Sequence, residues 1–218
     1  MNSLEKNITE KSIDFAKKQM RHLHSSHGWD HVERVLALAK RISEKEKSAD
    51  AFIVTVSAIL HDIARKEQDS NNGKVCHAEM GSKRAYEFLI KEGLDPGRAG
   101  HISQCILTHR YRNDHSPQTM EAKILYDADK LDSIGAVGIG RAFLFSGEVG
   151  AKLHNADIDI SETKSYSKED TAYREYVFKL KDIKKKMLTE EGRRIALERD
   201  SFMKSFFERL QNEVTGKD

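Results

Sequence analysis

The sequence predicts an all-α fold, and three observations carry that prediction. Two prolines in 218 residues leave few helix breakers. Apolar residues recur at three- and four-residue intervals through most of the chain. Glycines or polar clusters fall where those runs stop. The length suffices for one large domain with a real core, or for a domain with an appendage. Charged residues make up 33% of the chain but nearly cancel, leaving a formal charge of +2, so nothing argues for nucleic acid as the principal partner.

The chain opens on a helix-compatible segment, MNSLEKNITEKSIDFAKK, which lacks the apolar core and cleavage site of a secretory signal. From Asp30 to about Lys47, Val32, Val35, Leu36, Leu38, Ala39 and Ile42 form one stripe of a helix, with Glu33, Lys40, Glu44 and Lys47 opposite. Ser48 then starts a helix over Ala51 to Ala64 that is apolar nearly all round, the pattern of a helix surrounded by others. Its β-branched residues leave a buried strand as the alternative. A helix over His77 to Lys91 stops at Gly93, and the next runs from near Pro96 to Leu107. A further helix spans about Thr119 to Ile134 and leads into GAVGIGRAFLF. Residues 155–170 read as a loop, followed by helices over about 171–188 and 189–213.

His31, the adjacent pair His61 and Asp62, and Asp129 sit where their neighbours look like core. A buried carboxylate loses its hydration unless a cation or several donors replace it. A divalent metal meets that cost, and a mixture of imidazole and carboxylate suits Zn, Mn, Fe, Co or Ni better than a pure oxygen cage would. Each residue alone has an ordinary reading as a hydrogen-bonded or ion-paired side chain. Their combination points to a metal.

WDHVERV, AILHDIAR and DADKLD together resemble the signature of the HD superfamily of metal-dependent phosphohydrolases: a histidine, a His-Asp pair at the end of a buried helix, then a distant aspartate. The resemblance covers about residues 20–150. It implies a compact HD-domain helical bundle and a divalent metal (Mn, Mg, Ni, Co, Zn or Fe) held by His31, His61, Asp62 and Asp129. It selects Asp129 over Asp127 and Asp132. We divide the chain accordingly into residues 1–154, the metal-binding domain with its N-terminal helix, and 155–218, a loop and C-terminal helices packing on the same domain.

One ion is expected and a second allowed, since His77 and His109 stand where the superfamily's binuclear members add ligands, with Asp62 as the bridge. The GYP motif and paired histidines of its cyclic-dinucleotide phosphodiesterases are absent. Asp132, His109 and Arg65 are the catalytic candidates. Asp132 lies on a neighbouring part of the Asp129 face, His109 can serve as proton donor, and Arg65 occupies the place of the lysine in many relatives' HDxGK. His27, Lys130 and Arg141 are the substrate-binding candidates, with Arg110 and Arg112 at the rim.

GAVGIG is neither a GxGxxG loop after a strand nor a Walker sequence, and its small residues read as close helix packing. DADKLDSIGAVGIGRAF also resembles a bacterial subgroup of HD hydrolases in which some members cleave nucleoside triphosphates to a monophosphate and pyrophosphate. The function expected is hydrolysis of a nucleotide or other small phosphate ester through metal-activated water. A regulatory metal- and nucleotide-binding protein without turnover and a di-iron oxygenase are the rival classes. Cys76 and Cys105 form no CxxC pair and read as reduced thiols of a cytoplasmic chain, and AFIVTVSAIL is far too short to span a bilayer. The aromatic residues after position 170 serve the core or the interface of a homo-oligomer.

Overall fold

The computed structural model describes residues 1–21, 28–71, 75–111, 115–155 and 158–217, without the side chain of Asp69. The all-α expectation is met: among these residues there is no strand. Ten α-helices follow one another as α1 (Ser3–Gln19), α2 (Trp29–Ser43), α3 (Ala51–Leu60), α4 (Arg65–Ser70), α5 (His77–Lys91), α6 (Pro96–Thr108), α7 (Met120–Leu131), α8 (Gly135–Glu148), α9 (Ala172–Phe178) and α10 (Glu190–Thr215). The chain forms two compact units, Met1–Asp129 and Lys130–Asp218.

In the first unit, α3 is the central rod, packed against α1, α2 and α6, while α5 pairs with α6. Nine consecutive residues, Phe52 to Leu60, are buried, which is why the segment is apolar on every side. The Asp50 carboxylate caps its start by accepting from the amides of Phe52 and Ile53, and the Asp50 amide donates to Glu121 near the start of α7. Arg98 on α6 ties in α1 and α3 by pairing with Glu5 at 2.8 Å and Asp50 at 3.0 Å while lying over the Phe52 ring.

Three helices are shorter than the sequence reading. Helix α2 ends at Ser43 rather than about Lys47, because EKEK after Ile42 offers no apolar side chain to the core. Helix α3 ends at Leu60 rather than Ala64, and His61 to Ala64 form turns. Helix α7 ends at Leu131 rather than Ile134. The chain then passes through an extended Ile134 (φ −129°) and a left-handed Gly135 (φ +78°) into α8. Helix α5 has the predicted bounds: Gly93 is left-handed, and the amides of Gly93 and Leu94 donate back to the carbonyls of Ile90 and Leu89.

In the second unit, α10 packs on α8 and on a 3-10 segment, Leu180–Lys186. The single helix expected over 171–188 is therefore two elements. Leu180 and Ile183 are three residues apart and both buried, a spacing that the 3-10 period aligns on one side. Among the described residues of 155–170 there is one 3-10 turn, Ile160–Glu162, and the rest are irregular as expected. Phe207 is buried and stacked on Tyr176, whereas Phe178 and Phe202 are exposed. None of the described helices is long and apolar enough to cross a membrane.

The glycines of GAVGIG differ in what they permit. A Cβ on Gly138 would lie 2.3 Å from the Ser133 carbonyl oxygen, so the close approach is to the chain's own preceding turn, while Gly140 has open space around it. Gly138→Ala should therefore destabilise the protein by about 1–3 kcal/mol, and Gly140→Ala should raise stability by up to about 1 kcal/mol. Thermal melts of the two variants check the contrast.

Candidate metal centre

The centre is assembled inside the first unit from the ends of five helices. His31 lies in the first turn of α2, His61 and Asp62 directly follow α3, His77 is the first residue of α5, His109 directly follows α6, and Asp129 is in the last turn of α7. His31, His61, Asp62, His77 and His109 are each at most 3% exposed. The Asp129 side chain retains 18% exposure and gives the cluster its contact with solvent.

Termination of α3 and α6 at these histidines has a chemical use. The last carbonyls of a helix have no partner within it. His61 donates from Nδ1 to the carbonyl of Ala58 at 2.8 Å, and His109 donates from Nδ1 to that of Ile106 at 2.6 Å. Each ring is thereby fixed with its proton on Nδ1 and its Nε2 lone pair turned inward. His77 reaches the same state through a side chain: its Nδ1 faces Gln68 Oε1 at 2.8 Å.

The inward atoms form two sets with the spacing of metal ligands. His31, His61 and Asp129 form one; Asp62, His77 and His109 form the other. His31 Nε2 is 3.2 Å from His61 Nε2 and 3.5 Å from Asp129 Oδ1. His77 Nε2 is 3.1 Å from His109 Nε2 and 3.0 Å from Asp62 Oδ1. Ligand atoms sharing an ion at about 2.1 Å stand about 3.0 Å apart in octahedral and about 3.4 Å apart in tetrahedral geometry. Asp62 faces both sets, with Oδ2 at 3.7 Å from the Nε2 atoms of His31 and His61 and Oδ1 toward His77 and His109. The donor set thus fits a divalent cation.

The electrostatics favour ligand-ready protonation states. Burial pushes the Asp62 carboxyl up, but the facing His61 and His77 outweigh it and hold it well below the usual carboxylate range. Burial, reinforced by the neighbouring His77 and His61 rings, holds His109 well below the ordinary histidine value. His61 is lowered by burial as well, with Asp62 opposing.

Other predicted residues fall elsewhere. Arg65 begins α4, and its charge contributes to lowering Asp62. Lys130, Asp132 and Arg141 belong to the second unit, where Arg141 donates to a buried Asp132 at 2.9 Å. His27 and Arg112 lie outside the described residues. Asp127 is fully buried. Gln68 escaped the sequence reading, because RKEQDS carries no motif. Its only signal was a histidine at a helix start, with no helical carbonyl behind it to orient the ring.

An all-α unit whose helix ends bring four histidines and two aspartates to metal-ligand spacing defines the class of protein. A model of the HD domain family matches residues 28–134, and YpgQ of Bacillus subtilis is 34% identical over 198 residues, covering 89% of this chain and 87% of YpgQ. The chain belongs to the HD domain family. Crystal structures of similar fold include B. subtilis YpgQ in complex with ADP (29% identity, 96% of both chains, TM-score 0.74) and an HD-superfamily hydrolase from Bacillus thuringiensis (26% identity, 97% of this chain and 98% of the other, TM-score 0.76).

The lowered histidines set a pH dependence. As pH falls through about 6.5 the unfolded chain takes up protons that the folded His61 and His109 refuse, so stability of the metal-free protein declines from there downward. Asp62 adds a second loss below about pH 4, where its unfolded form becomes protonated and its folded form does not. Metal-free protein should melt at a lower temperature at pH 5 than at pH 7, and His109→Gln should narrow the difference. Calorimetry at both pH values tests this, and an unchanged difference would refute the assignment.

Proposed function

We propose that the protein is a metal-dependent phosphohydrolase that acts on a nucleotide or another small phosphate ester. The observation that carries this reading is the seat of Asp62, a buried carboxylate with its two oxygens divided between two groups of histidines. His31, His61, Asp62 and Asp129 would hold one divalent ion; Asp62, His77 and His109 would hold a second. Such ions supply an activated water as nucleophile and a Lewis acid for the phosphoryl oxygens.

Charge supports the anionic substrate. With the histidines neutral, Asp62 and Asp129 contribute two negative charges; one dication cancels them, and two leave two positive charges to face a phosphate. In this reading substrate would approach from the side of Asp129, whose side chain is the more exposed of the two carboxylates. In this reading His109 serves as a ligand rather than a proton donor, since its environment keeps it neutral and its Nδ1 proton is committed to Ile106. Arg65, which lies in the same unit and follows the His-Asp pair closely in the chain, is the phosphate contact this reading favours. The roles of Asp132 in proton management and of Lys130, Arg141 and His27 in phosphate binding rest on the motif positions alone. YpgQ has been crystallised in complex with ADP, which favours a nucleotide here. The free thiols of Cys76 and Cys105 suit action in the cytoplasm.

Chelation should abolish phosphate release from a panel of nucleoside mono-, di- and triphosphates, and Mn, Co, Ni or Mg should restore it. His61→Ala and Asp62→Ala should each lower kcat/KM by more than about 100-fold, beyond the usual cost of losing a residue that only supports a ligand. Chromatography of products separates removal of terminal phosphate from release of pyrophosphate. Full activity in either variant would overturn the proposal.

A further inference from the structure

The three histidines whose Nδ1 partners are defined obtain the same orientation by different means. His61 and His109 stand just past helix C-termini and use main-chain carbonyls three residues back, acceptors that no side-chain substitution removes. His77 stands at the opposite end of its helix, as the first residue of α5, where the free backbone groups are amides. A backbone N–H donates and cannot accept the Nδ1 proton. The acceptor comes instead from Gln68 on α4, whose Oε1 lies 2.8 Å from His77 Nδ1.

A glutamine amide is ambiguous by itself, because its nitrogen and oxygen can exchange places by a half turn. Arg110 removes the ambiguity. Its Nη1 lies 2.8 Å from the same Gln68 oxygen, and a guanidinium only donates, so the atom it meets must be an acceptor. The atom facing His77 is then the amide oxygen, so His77 Nδ1 carries a proton, and Nε2, 3.0 Å from Asp62 Oδ1 and 3.1 Å from His109 Nε2, is the ring atom turned toward the second metal position. Arg110 directly follows His109, so the residue that fixes the Gln68 amide is joined to the other histidine of the same set. Arg110 Nη1 also lies 3.7 Å from the Cys76 sulfur, beside His77 in the chain.

We infer that Gln68 and Arg110 are positioning residues that lock His77 in the Nδ1-protonated form and thereby set the affinity of the second metal position. This rests on the two-ion reading above, and it identifies the one histidine lock among these three that a point substitution can delete. Gln68→Met keeps the length of the side chain and removes the acceptor. Gln68→Glu keeps an acceptor toward both His77 and Arg110. Arg110→Met leaves the amide free to turn and present its nitrogen.

Titration of chelator-treated full-length protein with Mn(II), followed calorimetrically, reads each ion separately. Gln68→Met should weaken the second ion about 10–100-fold while leaving the first unchanged, Gln68→Glu should retain wild-type affinity, and Arg110→Met should fall between them. Long-range 1H–15N spectra of the zinc-loaded protein, labelled at histidine, should show His77 protonated on Nδ1 in the wild type, with that proton lost to solvent exchange in Gln68→Met. A purely structural role for Gln68 would not produce this change. Equal second-ion affinity in Gln68→Met and wild type, or a wild-type His77 protonated on Nε2, would overturn the inference. If wild-type protein takes up only one ion while the spectra show the Nδ1 lock, the two-ion reading fails and the lock stands.

Discussion

The first unit is organised around one electrostatic constraint, an ionised Asp62 carboxylate that is 3% exposed among imidazole rings. Neutral imidazoles alone do not compensate a buried charge, and protonating them carries its own desolvation cost. The fold reduces the problem by supplying donors and by leaving room for positive charge at the ring nitrogens. It does this with helix ends rather than helix middles. At an end the backbone has unsatisfied carbonyls or amides, so a polar ring can find a main-chain partner without disrupting a hydrogen-bonded ladder. His61 and His109 use such carbonyls. The cost of the buried site is therefore partly offset by groups that helix termination would in any case leave unpaired.

This constraint also explains what could be read from the sequence. A helix as apolar as Ala51–Leu60 can only lie at the centre, and a His-Asp pair appended to it must be a buried polar pair, so the two residues at the heart of the site were legible without coordinates. His31 and Asp129 stood out among apolar neighbours, but it took the superfamily pattern to select Asp129 over Asp127 and Asp132. His77 and His109 were legible as positions that the superfamily pattern reserves. The end of α3 was not legible, because Ile63 and Ala64 continue the apolar run and are themselves buried. Only the requirement that His61 turn back onto Ala58 distinguishes a helix that stops from one that continues. Gln68 was illegible for a related reason: a hydrogen bond nine residues away from its histidine leaves no periodicity.

The second unit shows the same limit of pattern reading in another form. Residues 155–170 looked like loop because their polar composition carries no stripe, yet Asn155, Thr163 and Asp170 are buried, as is the adjoining Thr171. They are held by hydrogen bonds: Thr171 donates to Asn155, Arg174 reaches Thr163 and Asp170, and Ser146 donates to the Asp170 carbonyl. Order maintained by polar pairing depends on side-chain geometry rather than on hydrophobic spacing, so composition under-reports it. The 3-10 segment after α9 is the converse case, since its apolar spacing was visible but the choice of a three-residue period over 3.6 was not.

The residue types at the centre follow from the number of lone pairs each can offer. Once Nδ1 is committed to an acceptor, an imidazole has a single lone pair left and can belong to one metal position only. A carboxylate has two oxygens and can belong to two. In a cluster of four histidines and two aspartates, a residue common to both sets must then be an aspartate, and Asp62 is the one whose oxygens face opposite groups. Asparagine keeps the shape but replaces one oxygen with a donor, which would turn an N–H toward an imidazole lone pair. Glutamate keeps the charge but moves it by a methylene, among rings already spaced at ligand distances. The position therefore demands charge, length and two-sided acceptance together, and aspartate alone among the side chains meets all three.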